Sequence, residues 1–294
     1  MNSNRVVSID ILKFLAVLIV IWSHLEEPLG KYSYLATGGA FGDSLFFFCS
    51  GFTIFLGKPV NGFFNWYKRR ICRIYPTVFA YALCRSVLAP VIEYSDNLLN
   101  TIMTGGGFFV SCIMVFYIFF YFIRKYASNH LISVLLISVL VTSSSFFVCD
   151  IENPDIEYRC LWSLYFCVML LGGRVGKRAI ATSTQSSHSG MLTWVGLLLL
   201  SVASYYGIVF LEGRYNIPEL RVLTVLPLMS FSICAYYMCC SRTVTRIFEC
   251  KYVHPVVMFC GSICLEAYIV QPLLITGDYN NQYFGKFLPL NIHF

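Results

Sequence analysis

Apolar residues in this chain gather in runs of about twenty, the length a helix needs to cross a bilayer, and polar residues collect between them. Nine runs can be drawn, at roughly 7–24, 39–57, 74–91, 107–123, 130–148, 160–174, 191–211, 221–240 and 255–275. The sixth is short, with room to extend into its flanks. None shows the ten-residue alternation of a transmembrane barrel, and in lipid a helix pairs its own backbone groups. The pattern predicts an all-α fold, a polytopic transmembrane helix bundle of about nine spans. No hydrophilic stretch is long enough for a second folded domain, so a single membrane domain over 1–294 is expected.

Composition agrees with the pattern. The chain is 57% hydrophobic and 12% charged, about half the charge of a soluble domain. The first run follows Arg5 but ends in IWSHLEE without a small-x-small cleavage site, so it reads as a retained helix and not a signal peptide. Thirteen cysteines lie mostly within apolar runs, with no C-x-x-C pair or Cys/His spacing suited to zinc; no metal site is expected. Cys149 and Cys160 flank the acidic stretch DIENPDIEYR, and a disulfide there would close that loop if the two span ends lie close.

The net charge of +6 changes meaning once it is placed on the nine-span map. With the N-terminus in the cytoplasm, fourteen basic residues fall inside and five outside, with Lys13 and Arg85 within spans. That is the positive-inside asymmetry. The basic balance is a topology signal, and no nucleic acid partner is needed to explain it.

One run carries chemistry. IDILKFLAVLIVIWSHLEE holds Asp10, Lys13 and His24 in an otherwise apolar segment. At about 100° per residue, Lys13 and His24 fall within about 20° of each other and about 16 Å apart along the axis. Asp10 shares the face and can pair with Lys13 at i, i+3. A polar stripe through a membrane is costly and points to a pathway. A neutralised Asp10–Lys13 pair with His24 at the outer interface explains it equally well, and chemistry alone leaves both readings open.

Four segments occur in a telling order: IDILKFLAVLIVIWSH, GAFGDSLFFFCSGFTIFL, FFNWYKRRICRIYP and FCGSICLEAYIVQPLLI. Together they resemble the acyltransferase-3 family of integral membrane acyltransferases. Lys13 and His24 fit its basic-residue-x10-His motif, with Lys13 where Arg is common. Arg70 and Arg73 fit its R-x-x-R motif, the second segment resembles its FF-x-x-SG helix, and LEAYIVQ resembles its late helix.

The resemblance implies transfer of an acyl group, usually acetyl, from cytoplasmic acetyl-CoA to a hydroxyl of a cell-surface polysaccharide or related lipid-linked saccharide. It implies a multi-pass protein of the bacterial inner membrane, with acyl-CoA as donor substrate and no permanently bound cofactor. His24 is the expected catalytic group, as a base or as a transient acyl carrier. Lys13 would pair with Asp10 or contact the thioester. Arg70 and Arg73 would grip CoA phosphates with forked hydrogen bonds, or serve only as positive-inside anchors. Asp43 would help hold His24 or face water. Glu266, an acid in mid-span, is expected to bond between helices, with Arg85 a candidate partner. Tyr268 and Gln271 would touch substrate or pack as polar core. Family members commonly have ten spans, so the nine counted here, ending in KFLPLNIHF, lead us to expect that the last helix is missing and the C-terminus lies outside. The competing classes are a transporter or export component using the stripe as a path, and an inactive truncated relative.

Overall fold

The computed structural model describes residues 6–57, 62–88, 102, 108–149, 154–181 and 190–275. Among these, all regular structure is helical. The long helices are α1 (Val7–Ser23), α2 (Gly39–Leu56), α3 (Phe63–Leu88), α4 (Phe108–Tyr126), α5 (Leu131–Val148), α6 (Pro154–Ala181), α7 (Met191–Tyr215), α8 (Val225–Cys239), α9 (Val253–Ser262) and α10 (Cys264–Ile275). Each predicted run falls in helix over its described residues, but several bounds move. The third begins at Phe63, not 74, so Arg70 and Arg73 lie within a helix and not at its entry. The sixth grows at both ends to Pro154–Ala181. The ninth breaks at Ile263 into α9 and α10.

Five of the described helical segments are long and apolar enough to cross a membrane, or six if the broken pair is one span. The 17-residue α1 is not among them, nor are α3 and α6, which carry charge for part of their length. The protein is a multi-pass helical membrane protein. The C-terminal segment KFLPLNIHF, on which the missing helix was argued, lies outside the described residues.

The chain divides into two compact units. The first comprises residues 1–16, 40–59 and 119–261 and holds α2, α5, α6, α7 and α8. Its centre is a close crossing of α2 and α6. A Cβ added at Gly51 would collide with the Met169 carbonyl, and one at Gly172 with the Phe48 carbonyl. At Gly176 it would stand 2.6 Å from the Phe52 carbonyl oxygen. Small residues let two backbones touch, which in lipid replaces the hydrophobic drive that water supplies elsewhere. The FFFCSGF run closes around this seam, with Phe47, Phe48 and Phe52 fully buried. Small hydroxyls bridge neighbouring helices: Ser232 donates to Ser44 at 3.3 Å and Ser201 to Ser230 at 2.9 Å. By contrast α7 buries 6% of its apolar window against 67% for α2. Its Leu192, Leu199, Leu200 and Phe210 are exposed, a surface suited to lipid tails and costly in water.

The second unit comprises residues 17–39, 60–118 and 262–294. It contains the end of α1 with the turns that follow, α3, most of α4 and α10. The Trp22 indole donates to the Leu35 carbonyl at 2.7 Å and ties those turns back to α1. Gly38 takes a φ of +100°, a conformation open to glycine at little cost, and lets the chain turn into α2. The Tyr67 hydroxyl donates to the Met114 carbonyl at 3.3 Å, joining α3 to α4.

Candidate functional site

His24 follows the last residue of α1, in a turn whose N–H donates to the Ile21 carbonyl at 3.1 Å. This i−3 bond tightens the end of the helix, and His24 stands just beyond it. The side chain keeps a solvent-exposed face while neighbouring atoms crowd the other. That partial burial lowers its pKa below the ordinary 6.5, and the nearby Glu26 carboxylate opposes the shift without reversing it. The shift favours the neutral imidazole, the form able to accept a proton.

Arg70 and Arg73 share α3, three residues apart, but their surroundings differ. Arg73 is exposed. Arg70 is half-buried, its guanidinium carbon 5.1 Å from the Trp66 ring centroid and 4.9 Å from that of Tyr117. Trp66 lies one helical turn before Arg70, and Tyr117 comes from α4.

On α10, Oε1 of Glu266 accepts from the Thr77 hydroxyl of α3 at 3.5 Å, the outer edge of hydrogen-bond range. Arg85 belongs to α3, but its side chain lies outside the described residues. Tyr268 packs its ring 5.0 Å from that of Phe109 on α4. Gln271 is buried, at 4% exposure. His24, Arg70, Arg73, Glu266, Tyr268 and Gln271 thus all belong to the second unit. Asp10, Lys13 and Asp43 belong to the first. There Asp10 is buried, with its backbone against Gly261, Lys13 is half-buried, and Asp43 sits half-buried near the start of α2.

Two features escaped the sequence reading. One is the aromatic corner around Arg70; only Trp66, at i−4, left a local sign of it. The other is a charge cluster in the first unit. Arg221 spans Glu212 at the end of α7, with Nη2–Oε1 at 2.5 Å and Nε–Oε2 at 3.1 Å, and also pairs with Glu157 in α6. Groups of three or more His, Cys, Asp or Glu that could hold a metal ion do not occur among the described residues.

A bundle of apolar helices with a histidine past one helix end and basic residues along another defines the class, a polytopic membrane protein. The acyltransferase domain model of the acyltransferase-3 family matches residues 6–289, and the chain belongs to that family. No curated protein and no solved structure matches it. The protein is therefore a membrane acyltransferase.

Proposed function

We propose that the chain moves an acyl group, acetyl in the simplest case, from cytoplasmic acyl-CoA to a hydroxyl of a surface polysaccharide or related lipid-linked glycan. The observation that carries this reading is His24, set just past the end of α1, crowded on one side and open to an incoming molecule on the other. As the acceptor oxygen attacks the thioester carbonyl, the imidazole takes the hydroxyl proton, and the tetrahedral intermediate expels the CoA thiolate. Arg70 and Arg73 bind the donor phosphates, Arg70 as the ordered member of the pair. Lys13 and Asp10 serve the donor end of α1. Glu266, Tyr268 and Gln271 support the same unit from α10.

The charge sort along the sequence supports a cytoplasmic N-terminus, and the family reading suggests a bacterial inner membrane. Donor and acceptor would then approach from opposite sides.

The test supplies the purified full chain with labelled acetyl-CoA and membrane-derived glycan, and follows release of the CoA thiol together with label in the glycan. Coupled release and labelling is the expected result. Glycan that crosses vesicle membranes without thiol release would replace this reading with a transporter. Comparing surface-glycan acetylation with and without the gene identifies the acceptor.

A further inference from the structure

The two arginines of the R-x-x-R motif are not equivalent, and the difference lies in what holds Arg70. Trp66 and Tyr117 are buried, at 3% and 7% exposure. Their rings meet edge to face, with centroids 5.8 Å apart and planes at 87°. Arg70 lies about equally far from both centroids, in the corner they make. A cation over a ring is attracted through the ring face. Contacts of this kind leave the planar fork of N–H donors, the edge that binds phosphate in two-pronged fashion, available to a ligand. The corner is also braced. Beside it, Tyr67 stacks on Phe63 at 5.5 Å and its hydroxyl reaches the Met114 carbonyl, so α3 and α4 are tied one residue away from Trp66. Among the described residues no carboxylate pairs with Arg70, whereas Arg221 elsewhere in the chain is held by two.

We infer that Trp66 and Tyr117 are positioning residues for the donor: they order the Arg70 guanidinium so that its N–H edge meets a phosphate of an acyl-CoA. This rests on the donor-site reading given above. It adds that affinity depends on the rings behind Arg70 as much as on its charge. Ordering the side chain before the ligand arrives removes part of the entropy cost of binding.

The experiment measures CoA binding to the full chain in lipid nanodiscs, for the parent and for Arg70→Lys, Arg73→Lys, Trp66→Phe, Trp66→Leu, Tyr117→Leu and the Trp66→Leu/Arg70→Lys double variant. Trp66→Leu should weaken CoA binding roughly five- to tenfold. Trp66→Phe, which keeps a ring face, should recover most of that loss. The double variant should bind no worse than Arg70→Lys alone, because the rings act only through the guanidinium. A merely structural role would instead give additive losses, and additivity overturns the inference. Weak binding by Arg70→Lys with parental binding by Trp66→Leu also overturns it and leaves the donor-site reading standing. Parental binding by both Arg→Lys variants sinks that reading and the inference with it. If Trp66→Leu does not fold, Tyr117→Leu decides by the same comparison.

Discussion

Between α2 and α6 backbone meets backbone; between α3 and α4 an arginine lies on two aromatic rings. The first seam belongs to one unit and the second to the other. In the first, glycine is required because nothing larger fits between Gly172 and Phe48, and the cost of an error is steric. In the second, polar groups are kept among apolar helices: Arg70 on its rings, Glu266 with Thr77, Gln271 buried. Buried polarity does not favour folding, and both units hold some of it, the first in Asp10, Ser44, Ser232 and Glu212. The contrast is therefore between the two seams: one is fixed by shape, and the other carries a residue proposed to bind the donor. Substitutions should then divide into those that remove the protein and those that remove only its turnover.

The largest expected effect is on shape. Gly172→Leu would press a side chain into the Phe48 backbone, which has no rotamer to yield. We expect a loss of about 3 kcal/mol or more, seen as failure to recover monodisperse protein or as a large drop in thermal midpoint. A stable Gly172→Leu variant would break the comparison at its strongest point. His24→Ala should do the reverse. Turnover should fall at least ~10²-fold, while thermal unfolding stays near the parent, since the residue is exposed and outside the helix. Near-normal turnover would remove His24 from the mechanism. The parent enzyme's pH profile sharpens this. A base must be unprotonated, and burial lowers the His24 pKa below 6.5, so kcat/KM should hold through pH 7 and decline only below about 6.5. An acid limb centred above that value would assign it to another group.

Much of this architecture is legible in the sequence because bilayer thickness imposes one length on every span. Over their described residues the nine apolar runs fall in helices, and the family model covers residues 6–289. What the sequence hides is mostly a matter of partners. Gly172 and Gly176 are visible in the string, but their contacts Phe48 and Phe52 belong to a distant helix. Arg70 and Arg73 look alike at i, i+3, and only the approach of Tyr117 from α4 sets them apart. The break at Ile263 has no proline to announce it. His24 ends the first apolar run in the sequence and stands just past α1 in the structure, after a tighter last turn.

A smaller effect is expected where α5 ends and α6 begins. Cys149 is exposed and Cys160 buried, both are free, and the two thiols are near enough to interact electrostatically. Treatment of the purified chain with a disulfide oxidant should join them by exchange, the oxidant leaving as its thiols. Intact mass and peptide mapping without reductant read the crosslink. The bridge should raise stability by up to about 3 kcal/mol through loop closure. Two free thiols after oxidation would show that the helix ends do not approach closely enough to be bridged.

The smallest effect separates two carboxylates that share one arginine. Arg221 meets Glu212 through two nitrogens and Glu157 through one. The Glu212 side chain is 11% exposed and that of Glu157 is 30% exposed. Solvent screens the second pair, and exposed ion pairs contribute only ~0–1 kcal/mol. The first is a charge-assisted, forked contact in a more enclosed place. Replacing Glu212 by Gln keeps its shape but leaves Arg221 only the more exposed partner. Glu212→Gln should therefore cost about 1–2 kcal/mol and Glu157→Gln under about 1 kcal/mol, both read as shifts in thermal unfolding in the same detergent. Added salt should erase most of the Glu157 effect and little of the Glu212 effect. Neither change should alter CoA affinity, because the cluster is not among the residues proposed to bind the donor. A CoA-binding defect in Glu212→Gln at parental stability would show that the cluster also serves donor binding.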